Sequence, residues 1–541
     1  LHVIYLGLLE LPLRQYKQSP ELTIRGSDQG LYFCWQFLPV LGAVILGGFW
    51  EMSDIHARRL QPYLAMTRPA GASIRDSLTL DYITDFNLFV PFKAAWRGHW
   101  AVVFSSSGYA LSMSALPTMA GLMWNVDWEN SRTASIPFQV PWLRGVQALN
   151  GVLCVLAVAL ALMMLFRRSG LVREPGNTAS IASIICQNPS LLQAFCQIPS
   201  YESHQFIEQA FKDARFSLRQ VVGTSASADA ALQITVSLPD GDAGALPLPT
   251  RAYKPSRSEA HPIWLWGRAI LLEEVALIAP FLVVQLAIGG LGLDPLDGIN
   301  PWIPKACFTL SLSLVAMIWQ LTQRDLSMLE PYCQMRRVRY IRDRRDARTQ
   351  RWPLTAEFAS KVSSAGWATV VAVRAGAFLL ALTSLLTLFQ QAAVVFFPPI
   401  WSTLYDAVRS RRASLPDAVL HGARVSAGFG WVFSALGFLA VIRVLRKRRR
   451  PIVPRQPRTL ASQILYLCGS DKLLRAMQGT SMMRGREFDA FVGALTQRHL
   501  FGWFQQPEDG RWRVGVEEAD PDRKDQPYKF PETSPASAST P

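Results

Sequence analysis

Apolar positions along this chain come in long blocks. Seven stretches, at residues 33–50, 100–124, 146–166, 275–293, 302–321, 367–397 and 427–445, approach or exceed the roughly 20 apolar residues that a helix needs to cross a bilayer core. Several begin or end on Trp, whose amphipathic ring favours the headgroup level. A shorter apolar opening, residues 1–12, reads as the outer end of an eighth helix whose beginning lies upstream of this chain.

Outside these blocks the period changes. "TLASQILYLCGSDKLLRAM" and "REFDAFVGALTQRHL" carry apolar residues at helical spacing, and "LFGWFQQPEDGRWRVGVEE" alternates around a Pro-Glu-Asp-Gly turn as a hairpin does. "FSLRQVV" and "ALQITVSL" are expected to be the strands of a similar module earlier in the chain. The Pro- and Gly-rich stretch at 237–262 is a linker, and residues 520–541 are an unstructured tail.

The blocks also repeat. At one constant offset, Trp50, Leu60, Pro62, Tyr63 and Met66 in and before "RRLQPYLAMTRP" fall on Trp319, Leu329, Pro331, Tyr332 and Met335 around "SMLEPYCQMRRV". Further along, "ASIASIICQNPSLLQAF" from Ala179 aligns with "ASQILYLCGSDKLLRAM" from Ala461, bringing Cys186 onto Cys468. Collinear matches of this kind point to a tandem duplication. The expected fold is therefore mainly α: a polytopic transmembrane helical protein of two parallel four-helix repeats, the first lacking most of its first helix, each followed by a small α+β cytosolic module. The boundaries are 1–166 and 167–236 for the first half, then the linker 237–262, and 263–446 and 447–519 for the second. The Pro-Tyr pairs would form a structural elbow, Pro62 and Pro331 stopping helices that emerge from the membrane and Tyr63 and Tyr332 resting at its surface, beyond Trp50 and Trp319.

Composition agrees with a membrane protein. Half of the 541 residues are hydrophobic and the charged fraction is 18%. Most of the net charge of +15 lies in alternate connecting segments, including "RRVRYIRDRR" and "RVLRKRRRP", which the positive-inside rule places in the cytosol together with both termini of the complete protein. Those runs suit contact with anionic lipid headgroups. Because their place beside the spans accounts for them, nucleic acid is not an expected partner. Which membrane is open on span length, with the plasma membrane favoured.

Candidate chemistry is sparse. The seven histidines include no His-Glu-x-x-His spacing, no Cys-x-x-Cys accompanies them, and neither a phosphate-cradling Gly-x-x-x-x-Gly-Lys loop nor a Gly-x-Ser-x-Gly elbow is present. No catalytic, cofactor or metal residue is expected. Arg374 is the one ionisable side chain placed well inside a span; it either snorkels to the interface or serves a solute or ion path.

The block "EMSDIHARRLQPYLAMTRPAGASIRDSLTLDY" with "VPFKAAWRGHWAVV" resembles the fungal multi-pass membrane proteins that carry a duplicated domain of unknown function, number 3433. In the second half "SLTLDY" has no clear counterpart. The resemblance implies a duplicated membrane protein and brings no established activity. Two functions fit these readings: a non-enzymatic membrane scaffold whose cytosolic modules bind each other or a protein partner, and a transporter or channel with a path between the repeats, its solute unknown.

Overall fold

Helix α1, His2–Gln18, runs through Pro12 and so extends past the apolar opening; it packs on α2, Gln29–Met66, and on α6, Val140–Phe166. The computed structural model describes residues 1–18, 21–25, 29–123, 127–130, 133–137, 139–167, 169–199, 202–222, 230–237, 302–336, 365–374, 377–409, 436–437, 453, 456–495, 498–505, 512–519 and 528–529. The stretch 275–293, most of 427–445, the two basic runs and nearly all of the linker lie outside them.

Among the described residues three helices are long and apolar enough to cross a membrane: Phe37–Met66, Val140–Phe166 and Phe378–Pro398. The stretch at 100–124 is also helical but interrupted. α4, Trp100–Ala110, passes through a π turn, Leu111–Ala115, into α5, Leu116–Leu122. Pro117 has no N–H to give the carbonyl one turn back, and the Leu116 N–H bonds instead to the Leu111 carbonyl, five residues away. An antiparallel three-stranded sheet links these helices, with β1 (Glu21–Arg25) beside β3 (Thr133–Pro137) and β3 beside β2 (Asp127–Asn130).

The bundle packs through small residues. Trp50 is 4% exposed: its ring covers Gly108, and its Nε1 donates to His2 Nε2 at 2.9 Å. A Cβ on Gly108 would stand 2.3 Å from that ring. Gly108→Ala is accordingly expected to cost about 1–3 kcal/mol, since an indole plate cannot yield as a flexible chain end does; thermal unfolding of the purified protein checks it. Trp319 is likewise buried, close to Gly437.

Beyond the bundle, α7 (Thr178–Ile185), α8 (Pro189–Cys196) and α9 (His204–Ala210) precede a hairpin of β4 (Arg215–Val222) and β5 (Ala230–Ser237). In the second half α10, Trp302–Arg336, is followed by α11, Ala365–Arg374, and α12, Phe378–Arg409. Then α13 (Leu460–Leu467), α14 (Asp471–Ala476) and α15 (Gly485–Ala494) lead to a hairpin of β6 (Arg498–Gln505) and β7 (Trp512–Ala519). Both modules thus have the order helix, helix, helix, hairpin, one helix more than the periodicity predicts. The tail is not wholly without structure, because β8, Tyr528–Lys529, pairs with β6 opposite Trp503 and Phe504.

Local chemistry explains the matching helix starts. Asn177 Oδ1 accepts from the Ser180 N–H at the start of α7, Thr459 Oγ1 from the Ser462 N–H at the start of α13, and each helix is closed by a cysteine, Cys186 or Cys468. The modules share one hydrophobic core that spans both. Their contacts are reciprocal: Cys186 Sγ donates to the Met477 carbonyl at 3.4 Å, and Cys196 Sγ to the Cys468 carbonyl at 3.2 Å. Arg173 donates to the Thr480 carbonyl and lies 3.3 Å over the Phe488 ring. Burial pushes the Cys186 thiol up to about 12, which keeps it unreactive.

Candidate functional site: a polar junction between the two halves

The apolar run of α2 ends in Glu51, Asp54 and Arg58, spaced so that all three share one helix face. Charge at that spacing reads in sequence as the start of a solvated loop. The structure corrects this: α2 continues to Met66, and Glu51, Asp54 and Arg58 are 7%, 0% and 2% exposed. They are buried because α4 and α10 bring partners to them. Arg324 pairs with Glu51 at 3.1 Å and donates to Asn87 Oδ1 at 3.1 Å, while Gln320 Nε2 donates to Glu51 Oε2 at 3.0 Å. The Tyr109 hydroxyl donates to Gln320 Oε1.

A second set adjoins the first. Arg58 pairs with Asp54 at 2.6 Å and donates to the Tyr82 carbonyl at 2.9 Å; Ser105 and Ser106 donate to Asp54 Oδ1 at 3.0 and 2.6 Å. Two acids and two bases on two helices, α2 and α10, therefore neutralise one another, as buried charges must. Gln320 and Arg324 come from the second half of the chain and Glu51 from the first, so the network is also a clamp between halves.

Tyr82 carries the network outward, its hydroxyl 2.8 Å from His99 Nδ1. His99 is fully buried, and that burial pushes its pKa down to about 4. A histidine held neutral in the folded state and titrating near 6.5 when unfolded gives stability that is whole above pH 6.5 and drains away as pH falls to about 4. The expected loss across that window is on the order of 3 kcal/mol. Unfolding scans at several pH values check it, with His99→Asn lacking this component.

The expected elbow takes a different form. Pro62 and Pro331 do not stop their helices; α2 and α10 run through them to Met66 and Arg336, although each proline lacks the N–H that would bond the carbonyl four residues earlier, of Arg58 or Ser327. The tyrosines are not surface side chains. Tyr63 is 4% and Tyr332 3% exposed, and both belong to the core shared by the modules. Tyr332 forms a trio of edge-on rings with Tyr466 and Phe501, centroids 5.0–5.5 Å apart. Between the two Pro-Tyr pairs lies a cavity of about 100 Å³, lined by Pro62, Tyr63, Pro331, Tyr332 and the arginines Arg58, Arg59 and Arg458. Around it, Arg59 and His56 bind Glu174; burial raises that carboxyl, but the His56 hydrogen bond and the Arg59 charge outweigh burial and hold it low.

Arg374 stands apart from all of this. The stretch 367–397 is divided, and Arg374 ends α11, exposed, ahead of the apolar run Phe378–Pro398. The acids and bases buried among helices are those of α2 and α10. Their signal was in the sequence as oppositely charged residues at i, i+3 and i+7 directly after an apolar run. Among the described residues no three His, Cys, Asp or Glu side chains gather as metal ligands, and six cysteines are free thiols.

Residues 33–125 match the family model described as Protein of unknown function (DUF3433). The match takes in Glu51, Asp54, Arg58, Asn87, Ser105, Ser106 and Tyr109, and leaves Gln320, Arg324 and both modules outside. No curated protein and no solved structure matches the chain.

Proposed function

We propose that the protein is a non-enzymatic membrane scaffold: two parallel four-helix repeats, related by tandem duplication, that present two clasped cytosolic modules to a protein partner. The single observation behind this reading is the burial of Tyr63 and Tyr332 in the core shared by both modules. Helices of the bundle continue into that core, so a partner docked on the modules is coupled rigidly to the membrane. The reciprocal Cys186 and Cys196 contacts support the duplication, as equivalent surfaces of related units meet face to face. Basic runs beside the spans would add contact with anionic headgroups, and both ends of the complete chain would be cytosolic, in the plasma membrane.

Proximity labelling from the C-terminus in native cells tests it. One partner set should be labelled, and it should vanish on deletion of residues 459–516 while solute flux in reconstituted vesicles stays unchanged. A transport reading draws on the Asp54, Ser105 and Ser106 cluster, since ionisable groups inside long apolar helices commonly mark a solute path. Loss of a measured flux in the Ser105→Ala, Ser106→Ala double variant would favour transport over the scaffold.

A further inference from the structure

We infer that the cavity between the two Pro-Tyr pairs is a binding site for a phosphoryl group. Five parts of the molecule meet there: α2 contributes Arg58 and Arg59, α10 contributes Pro331 and Tyr332, the segment after α2 contributes Leu80, Tyr82 and Ile83, and the first turns of α7 and α13 arrive from the two modules. No carboxylate lines it; Asp54, Glu174 and Asp325, which pair with the arginines, stand outside the lining. Both helices are eight residues long and turn their amino ends, the positive ends of their dipoles, toward the same space, although their caps already take the Ser180 and Ser462 N–H groups.

Helix ends alone would not make a site. The arginines supply the independent observation. Arg58 is 2% exposed, yet its Nε–H has no acceptor; Nε and one terminal nitrogen of Arg458 are also buried without a hydrogen bond. Buried guanidinium donors left open beside a cavity cost free energy unless an acceptor enters, and a tetrahedral oxyanion offers acceptors in the fork geometry that arginine prefers. With about 100 Å³ there is room for one such group and little else. The phosphoryl group can come from free phosphate or from the headgroup of a lipid at the foot of α2 and α10. The inference goes beyond the scaffold reading, and its failure would leave the module clasp and its partner labelling untouched.

The test uses the full chain in nanodiscs of phosphatidylcholine, titrated with inorganic phosphate against chloride at equal ionic strength, with thermal unfolding as readout. Phosphate should raise the unfolding temperature. Arg458→Gln should weaken that response about tenfold in concentration, as loss of a charge-assisted donor does. Arg458→Lys, which keeps the charge facing Asp325 but loses the fork, should fall between; its unfolding temperature without phosphate reports whether folding is intact. A parallel arm with phosphatidic acid in the nanodisc and no free phosphate separates the sources, since an Arg458-dependent shift there alone assigns the lipid headgroup. If neither arm gives a shift that depends on Arg458, or if chloride gives the same shift, the inference is overturned.

Discussion

Replacing Arg324 by methionine is expected to destabilise the protein by about 3–5 kcal/mol, the cost of stranding one member of a buried ion pair. Glu51 would be left at 7% exposure without a cation and with only Gln320 to bind it, and Asn87 would lose its donor. The double change Glu51→Met with Arg324→Met should recover most of that loss, because apolar side chains of similar volume often replace a buried pair at little cost. Recovery should stop short by about 1 kcal/mol, as the Gln320 amide would then lack its acceptor. Unfolding temperature and the fraction of monodisperse protein in detergent measure all three variants. An Arg324→Met protein as stable as the parent would show that the network is not a clamp.

Tyr332→Ala should be nearly as damaging, at about 3–5 kcal/mol for a large ring removed from a close-packed core. The loss should be local. With its ring gone, Tyr466 and Phe501 face a void at the junction of α10, α13 and β6, so limited proteolysis should cut first in the second module. Tyr332→Phe retains the ring contacts and should stay within about 1 kcal/mol of the parent, the worth of one hydroxyl hydrogen bond. Equal sensitivity of the two variants would point to the hydroxyl and away from packing.

These two residues also show where sequence reading stops. The apolar runs of α2 and α6 were plain from length alone, and both hairpins from alternation around polar turns, because those patterns arise from local geometry. Glu51, Asp54 and Arg58, directly after an apolar run, read locally as solvated charges. Their burial depends on Arg324 and Ser105, residues far away in the chain, and no window of local sequence contains a partner more than 250 positions distant. Pro62 and Pro331 are legible as a matched pair near a helix end; the packing of Tyr63 and Tyr332 in the core shared by the modules, which carries both helices past them, is not a local pattern. The end of α11 before Phe378 is hidden for a similar reason: the Ala377 N–H bonds to the Ala372 carbonyl, five residues back, and both alanines pack in one cluster with the distant Leu326.

The π turn between α4 and α5 sets a phase. Each residue advances a helix by about 100°, so one extra residue in that turn rotates everything on one side of it by that angle relative to the other. With the turn in place, Ser105, Ser106 and Tyr109 face the acids of α2 at the same time as Met113, Leu116 and Ala120 fill its apolar flank. Removing one residue there would leave two acceptable helices out of step, able to satisfy either the hydroxyls or the packing and not both. Leu111–Ala115 is thus a timing element, and its length, more than the identity of any side chain in it, keeps the polar junction in register with the bundle.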